Sequence, residues 1–454
     1  MKENFFKKMV SLALPIALQQ LLVSCAQIVD TAMVVKLGNI EVSAVGVASR
    51  WIFLLNIVLF GISSGSSALI AQFWGNKDKR NIRRSYGFGL ILGISVGILF
   101  SLAATLIPET LMRVFTTDEP VIQAGISYIR IVGLIGIFSA YNQLTCTVLR
   151  STEDVTTPLF SSIISVLANT VLNYILIFGK LGAPALGLRG AAIATLLATV
   201  LQSVIITVAA IVRKRIIRAP IPEFFRLDQE FAARFLRVCM PVILNETAWA
   251  VGTNVYSMVF ARQGVENYAG YTVFSSLEQI AFVFFVGICH ACSIMVGKSI
   301  GEGKPDVAQS TAKKFLAMTP VLGIICGVII IFVRNPLLSL MDIETQAAFD
   351  VASKLLFVYA CWLPFRNIPY ILIVGTFRAG GDVNIGIFID IGSLYAVSIP
   401  VVCYLGLVKR VDFILLIAAM YLAEDLIKCI ACLIRFSGKK WIKNLVYDMK
   451  ETSA

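Results

Sequence analysis

Charged side chains are scarce in this 454-residue chain. They make up 15% of its residues, against about 25% in a soluble domain, and 58% of the residues are apolar. Apolar stretches long enough to cross a bilayer, about 20 residues each, recur along the whole length. This composition excludes a soluble globular protein. Continuous apolar runs, in place of alternating segments of about ten residues, also exclude a membrane β-barrel.

Histidine is nearly absent, and the sequence shows no spacing typical of metal ligands. His290 is the only histidine, and the ten cysteines lie in or beside apolar stretches. The two close cysteine pairs, Cys289 with Cys292 and Cys429 with Cys432, fall inside predicted helices, where small residues are ordinary packing material. We therefore expect neither a disulfide framework nor a metal site.

The apolar stretches predict an all-α polytopic membrane protein with twelve membrane-spanning helices. The expected spans are 9–35, 44–73, 85–108, 120–150, 156–178, 186–212, 234–262, 267–298, 312–334, 346–377, 384–407 and 411–436. Most Lys and Arg residues fall in segments on the same side as the N-terminus. Because basic loops stay in the cytoplasm, both termini are predicted to be cytoplasmic. The net charge of +12 largely reflects the Lys and Arg of these cytoplasmic segments, so no nucleic-acid partner is needed to explain it.

The two halves of the chain repeat one spaced signature. Pro15, Gly38, Gly61 and Gly75 recur in the same order and spacing as Pro241, Gly264, Gly287 and Gly301. Pro108, Arg150 and Asp154 recur, shifted by two further positions, as Pro336, Arg378 and Asp382. Parallel repeats are typical of secondary transporters whose substrate lies between them. We predict two pseudo-symmetric six-helix bundles at 1–212 and 238–454, joined by a cytoplasmic linker at 213–237 that is a solvated amphipathic tether.

Asp30 is an acidic residue inside the first predicted span. A central Asp costs about 2.5–3.5 kcal/mol on insertion scales, so it persists where it has partners or a function. Arg50 lies as far from Ile40 as Asp30 does and is one candidate partner. Because Arg50 lies near the outer interface, the preferred interpretation is that its side chain extends to the membrane surface.

Amide and hydroxyl side chains are predicted near Asp30 by counting outward from tight turns. Residues equally far from a turn lie at similar depth on adjacent antiparallel helices. This rule pairs Asn142 with Asn169 and Asn173 with Thr195, while Asn169 and Asn173 share one helix face. Such oxygens are ligands that a small cation prefers. Hydrogen bonding between helices, worth about 0.6–2 kcal/mol, explains these residues equally well.

The second half is richer in acidic residues at membrane depth. They are Glu246, Glu278, Asp390, Glu424 and Asp425, and the bases among them are Arg366 and Lys428. This net negative balance favours cationic ligands or proton exchange. Internal ion pairing is the alternative, with Glu424 against Lys428 and Asp390 against Arg366. Glu246 and Glu278 have no basic partner in this pattern, so they are the preferred functional acids.

Several short motifs stand in a specific order along the chain. They are Ala13-Leu14-Pro15, Val29-Asp30-Thr31, Leu37-Gly38, Gln72-Phe73-Trp74-Gly75, Leu149-Arg150-Ser151, the run from Gly190 to Thr195, Pro241 with Asn245-Glu246, and the run from Phe377 to Asp382. Together they resemble the multidrug and toxic compound extrusion (MATE) family over nearly the whole chain. The resemblance implies two six-helix bundles around a V-shaped cleft and export of organic cations in exchange for Na⁺ or H⁺.

The resemblance also implies roles for individual residues. The family's first-bundle cation site falls on Asp30, Asn142, Asn169, Asn173 and Thr195. In the NorM-type branch a helix-seven Glu pairs with a helix-ten Asp. Glu246 matches the Glu, whereas Asn367 stands at the Asp position. With one carboxylate missing there, Asp390, Glu278 or Glu424 is expected to supply the charge.

We predict an antiporter of the bacterial cytoplasmic membrane rather than an enzyme. It is expected to export small organic cations or amphipathic drugs by alternating access, as a monomer without a cofactor. The coupling ion is Na⁺ or H⁺, and the sequence leaves this choice open. A lipid-linked oligosaccharide flippase of the same architecture is the alternative, but it would need Arg and Lys for pyrophosphate. A membrane-embedded prenyl transferase would need paired Asp-rich motifs, which the sequence lacks.

Overall fold

The structure is a computed structural model that describes residues 5–225, 228–341, 343 and 345–446. These residues form helices joined by turns and loops, and no β-strand occurs among them. The helices of the first half are α1 (Phe5–Val35), α2 (Asn39–Gly75), α3 (Lys79–Leu106), α4 (Pro108–Arg113), α5 (Glu119–Val132), α6 (Ile135–Ser151), α7 (Thr156–Phe178) and α8 (Gly187–Val212).

The second half begins after a short 3₁₀ turn at Ile221–Glu223. Its helices are α9 (Gln229–Ala261), α10 (Val265–Gly301), α11 (Pro305–Ser339), α12 (Gln346–Tyr370), α13 (Val383–Gly392), α14 (Ile399–Cys403) and α15 (Phe413–Ser437). Three π-helical stretches continue α12, α13 and α14 respectively: Ile371–Phe377, Ser393–Ser398 and Tyr404–Lys409.

Local sequence signals fix several helix ends. The carboxylate of Asp78 accepts a hydrogen bond from the backbone N–H of Asn81 at 3.0 Å, which caps the start of α3. Asp412 does the same for α15, accepting from the backbone N–H of Ile414 at 3.0 Å. Gly179 ends α7 in the left-handed conformation, with φ of 65°, which glycine adopts without a Cβ clash.

The helices coincide with all twelve predicted spans. Nine helices in the described part of the chain are long and apolar enough to cross a membrane, and the bent pair α5 and α6, at 49° to each other, makes a tenth. The other two predicted spans are α9, with 33 residues, and α15, with 25. Both contain charged side chains, and α15 carries three of them near its middle, Glu424, Asp425 and Lys428.

The chain divides into two compact units. One, here called the C-unit, consists of Met1–Ala17, Ala71–Asn76 and Leu244–Ala454. The other, the N-unit, consists of Leu18–Ile70 and Lys77–Ile243. Two short segments that the sequence prediction assigned to the N-terminal bundle therefore group with the C-terminal half. The predicted bundle boundaries at 212 and 238 stay a prediction.

Each unit has its own core. In the N-unit it is built largely from aliphatic and small side chains, with Ala104, Met112 and Ala192 fully buried. Aromatic rings fill much of the C-unit core, where the rings of Phe260 and Phe413 meet edge to face at 5.8 Å. The small residues of the N-unit core bring helix backbones closer together, as membrane helices commonly do.

The acidic residue of the repeated signature makes equivalent ion pairs in the two units. In the N-unit, the buried carboxylate of Asp154 lies 2.6 Å from Arg215. In the C-unit, the fully buried carboxylate of Asp382 lies 2.6 Å from Lys443 and 2.7 Å from Arg435. Arg215 and Lys443 are displaced along the chain by the same interval as the two aspartates. The two halves therefore repeat this ion pair as well as the residue types.

The predicted linker 213–237 is anchored to α3. It is largely exposed, but Glu223 forms an ion pair with Arg83, and Asp228 lies 2.5 Å from Arg84, both on α3. Its last nine positions already belong to α9. The exposed positions fit a solvated segment, and oppositely charged residues on α3 hold it within the N-unit. Its role as a linker between two bundles stays a prediction.

Candidate ion and substrate sites

Asp30 on α1 is held by two amides from α7 within the N-unit. The Asn173 side-chain nitrogen donates to the carboxylate at 2.6 Å. In the orientation that gives both of its amide atoms partners, Asn169 donates to the same carboxylate at 2.8 and 3.1 Å. Both asparagines are buried, and Asp30 is partly buried. Their spacing of four residues on α7 brings the two amides to one face, so both reach Asp30.

The other two predicted ligands make different hydrogen bonds. Asn142 on α6 donates to the backbone carbonyl of Thr199 on α8 at 3.0 Å. Thr195 donates to the carbonyl of Ala191 in its own helix at 3.0 Å. Among the described hydrogen bonds, neither residue contacts Asp30. The structure thus brings together three of the five predicted residues and leaves Asn142 and Thr195 bonded to backbone.

Two buried acceptor atoms among the five predicted ligands bear on cation binding. The side-chain oxygens of Asn142 and Asn173 are buried without a hydrogen-bond partner among the described residues. Unsatisfied carbonyl oxygens and a carboxylate are the chemistry that a hard cation requires. The amide nitrogens now face Asp30, so a bound cation would require these amides to turn their oxygens inward. The cluster suits both a cation and a protonated Asp30.

Sequence reasoning missed Tyr128 as a neighbour of this cluster, whereas its preferred interpretation of Arg50 agrees with the structure. Tyr128 on α5 is buried and interacts electrostatically with Asp30. Turn counting could not find it, because α5 and α6 bend at 49° and the count along the helices breaks down. Arg50 is exposed and forms no described ion pair with Asp30, which accords with its extending to the membrane interface.

Lys428 on α15 joins two acids of the C-unit. Its ammonium lies 2.7 Å from Asp390 and 2.6 Å from Glu424. The pairing of Glu424 with Lys428 was predicted. The pairing of Asp390 with Arg366 is wrong, since Asp390 binds Lys428 and accepts from Asn245 at 3.0 Å. Similar depth across a turn does not ensure that two side chains face each other.

Arg366 on α12 joins two further acids. Its guanidinium lies 2.7 Å from Glu278 on α10 and 3.8 Å from Asp425 on α15. The indole N–H of Trp362 also donates to Asp425 at 2.8 Å. The expectation that Glu278 has no basic partner is therefore wrong.

Glu246 on α9 also has a base, Arg378, at 2.6 Å. The sequence offered a signal for this pair, since Arg378 is part of the repeated signature. Its counterpart Arg150 also donates to a polar side chain: it bonds Gln19 on α1 at 2.6 Å. Asn367 on α12 is buried and donates to the carbonyl of Leu363 in its own helix at 3.4 Å.

The five membrane-depth acids of the C-unit thus share three bases. Each acid lies within ion-pair distance of Arg366, Arg378 or Lys428. With five negative and three positive charges, the network has an excess of negative charge. Tyr256 connects to it through its hydroxyl, which lies 2.8 Å from Glu424 and 2.6 Å from Ser398. Such a network attracts cations and resists anions.

Long apolar helices that hold acidic side chains between them define a polytopic membrane protein of the transporter class. A family model described as MatE matches residues 15–175 and 241–405, with one match in each half. The chain belongs to the MatE family, which is a family of transporters rather than enzymes. The resemblance noted in the sequence is confirmed.

Curated relatives and solved structures agree with this assignment. The chain is 26% identical to "Probable multidrug resistance protein YoeA" of Bacillus subtilis over 416 residues, which cover 91% of this chain and 89% of the relative. It is 24% identical to "Probable multidrug resistance protein NorM" of Thermotoga maritima over 453 residues, covering 97% and 94%.

The fold has solved counterparts. A structure described as the outward-facing conformation of a multidrug resistance MATE family transporter of the MOP superfamily superimposes with a TM-score of 0.85. It is 18% identical, and the match covers 97% of each chain. At this identity the likeness concerns the fold alone. The predicted all-α polytopic fold with twelve membrane-spanning helices is confirmed.

Proposed function

We propose that this protein is a secondary antiporter that exports organic cations in exchange for Na⁺ or H⁺. One observation carries the proposal: Asp30 is held by amides, whereas the C-unit acids are held by bases. A base beside a carboxylate offsets its charge, while an amide leaves that charge in place. Asp30 can therefore take up and release a cation or a proton, which is what a coupling site must do.

Ion entry supplies enough free energy for export. Each charge that moves inward down the membrane potential releases about 2.3 kcal/mol per 100 mV. The ion drives export only if it binds one conformation more tightly than the other. Binding at Asp30 would replace the amide donors from α7 and so change how α1 packs on α7. We infer that this change favours the conformation that releases cargo outward.

The cargo is expected to be cationic or amphipathic. The excess negative charge of the C-unit network supports this, since it stabilises positive ligands in a low-dielectric surrounding. The relatives named as multidrug resistance proteins support a compound class of this kind. A flippase for pyrophosphate-linked oligosaccharides would need an excess of Arg and Lys, opposite to the balance found here.

The membrane location and orientation of the protein are inferred from its basic residues and its apolar surface. Lys and Arg in the loops on one side support a bacterial cytoplasmic membrane location with both termini in the cytoplasm. Many large apolar side chains are exposed on the helices, among them Phe332, Phe388 and Ile434, and a lipid bilayer would cover them. We propose that the protein works there as a monomer without a cofactor.

Dye export from proteoliposomes tests this function. Liposomes containing the purified protein and ethidium would receive a Na⁺ gradient alone or a pH gradient alone. One gradient should drive ethidium out, and Asp30→Asn should reduce this ion-dependent rate at least tenfold. Glu109→Gln, at an exposed position of α4, is the control and should behave as wild type. Unchanged export by Asp30→Asn, or no ion-driven export by the wild type, would contradict the proposal.

A further inference from the structure

The Arg366 guanidinium lies in a surrounding that is common for bound organic cations. It stands over the Tyr421 ring at 4.5 Å and within 5.7 Å of the Tyr359 ring centre. Glu278 and Asp425 face it at 2.7 and 3.8 Å. We call Glu278, Asp425, Tyr359 and Tyr421 the cation cage. Aromatic faces together with carboxylates are the side chains that proteins use to bind guanidinium and quaternary ammonium groups.

Arg366 does not neutralise the charge of the cation cage. Two carboxylates meet one guanidinium, which leaves one negative charge in excess. The Tyr359 hydroxyl adds a second sign of incomplete pairing, because it is fully buried without a hydrogen-bond partner among the described residues. It also interacts electrostatically with Glu278. A buried hydroxyl without a partner costs free energy, which a ligand with a hydrogen-bond donor or acceptor could recover.

Arg366 also differs from an arginine fixed in a structural ion pair. The Arg378 side chain is 3% exposed and lies 2.6 Å from Glu246. The Arg366 side chain is 29% exposed and is therefore less enclosed than that of Arg378. The indole N–H of Trp362 also donates to Asp425, so this carboxylate keeps a hydrogen-bond partner if the guanidinium moves. The cage therefore does not depend on Arg366 alone for its shape.

We propose that the cation cage is a binding site for guanidinium and related organic cations, and that Arg366 is a tethered cation that occupies it until cargo displaces it. The part that concerns cargo rests on the proposed export function. A tethered group competes at a high effective concentration, so it returns to the cage when cargo dissociates. Arg366 thereby lowers the affinity for cargo and favours its release.

Chemical rescue tests the site without any transport. Arg366→Ala should lower the midpoint of thermal unfolding in detergent, because the carboxylates of Glu278 and Asp425 lose their base. Methylguanidinium should restore it in a saturable manner, at concentrations at least tenfold lower than any that affect the wild type. Sodium chloride at equal ionic strength should not. Arg366→Ala/Glu278→Gln should lose this response. Stabilisation no greater than that by sodium chloride would overturn the proposal.

Arg334→Ala is the matched control. The Arg334 guanidinium also stands over an aromatic ring, Phe357 at 4.9 Å, but forms no ion pair among the described residues. Methylguanidinium should leave the unfolding midpoint of Arg334→Ala unchanged. An equal response in both variants would mean that any vacated arginine position binds the ion, and the cation cage would be rejected.

A second measurement remains if Arg366→Ala does not fold. Glu278→Gln keeps Arg366 and removes one negative charge from the cage. Its affinity for ethidium, measured by fluorescence with the protein in detergent, should fall at least tenfold, and that of Arg334→Ala should not change. Unchanged affinity would overturn the proposal. Because neither binding test uses an ion gradient, a failure of antiport leaves their outcome intact and the two failures can be told apart.

Discussion

At the scale of single residues, the partner of each buried acid decides what it can do. Asp30 meets the amides of Asn169 and Asn173, which orient it without neutralising it. In the C-unit, Lys428 lies between Asp390 and Glu424 and carries one charge against two. A buried acid next to a base contributes to structure, whereas one held by amides remains available to a mobile ion.

Removing Lys428 should destabilise the protein strongly. Lys428→Met leaves the carboxylates of Asp390 and Glu424 buried without their base, which costs about 3–5 kcal/mol. Thermal unfolding in detergent measures this loss. Lys409→Met, at an exposed position, should have little effect. Combining Lys428→Met with Asp390→Asn and Glu424→Gln should restore most of the stability. Equal midpoints for Lys428→Met and Lys409→Met would show that the network is not stabilising.

The residue-level prediction worked where helix periodicity decides and failed where side-chain orientation decides. Asn169 and Asn173 share a face by their spacing, and both reach Asp30. Turn counting gives depth but not direction, so it paired Asp390 with Arg366 when Lys428 is its partner. Whether the same cluster binds the coupling ion stays a prediction.

At the scale of elements, long apolar runs predict helices well because a bilayer leaves few other ways to pair the backbone. The end of α7 was predicted at its observed position, 178. The short helix α4 and the bend between α5 and α6 were missed. Both depend on how the chain turns at the membrane edge, which hydrophobicity alone does not encode.

Three π-helical stretches were also missed, and all lie in the C-unit. Ser393–Ser398 and Tyr404–Lys409 interrupt the span from 383 to 409, and Ile371–Phe377 ends the preceding one. A π-helical turn needs one extra residue, which apolar periodicity does not reveal. Such turns often occur at functional positions. Here one of them carries Ser398, which bonds the hydroxyl of Tyr256 beside the acidic network.

Two glycine substitutions should have opposite effects on stability. A Cβ on Gly97 in α3 would lie 2.5 Å from the carbonyl oxygen of Gly136 in α6, so the two helix backbones would have to separate. A Cβ on Gly46 in α2 meets nothing within 4 Å, and alanine is the better helix former by about 1 kcal/mol. Gly97→Ala should lower the thermal midpoint in detergent, and Gly46→Ala should leave it equal or higher. The reverse order would contradict the close approach of α3 and α6.

At the scale of the whole molecule, the repeat is the feature that the sequence predicts most firmly. Its anchors occupy equivalent places in the two halves: Pro15 and Pro241, for example, both lie inside long helices. The equivalent contacts of Asp154 and Asp382 accord with this. The limits of the two units were not predictable in the same way, because one of them falls after Ala17, in the middle of α1. No composition change marks that point.

The repeats have diverged in charge. The N-unit has amides around its membrane-depth acid, and the C-unit has an acidic network with too few bases. In an antiporter this divergence would assign the coupling ion to one repeat and a cationic cargo to the other. The exchange would then be reciprocal, since linked sites affect each other equally.

The most direct test of this account is to let cargo drive the ion. Proteoliposomes with an ethidium gradient, and no ion gradient or membrane potential at the start, would be assayed for movement of H⁺ and of ²²Na⁺. The account predicts that the ethidium gradient drives one of these ions in the opposite direction through wild-type protein, and that Asp30→Asn abolishes this movement. Ion movement of equal size through Asp30→Asn, or ethidium flux without any ion movement, would contradict it.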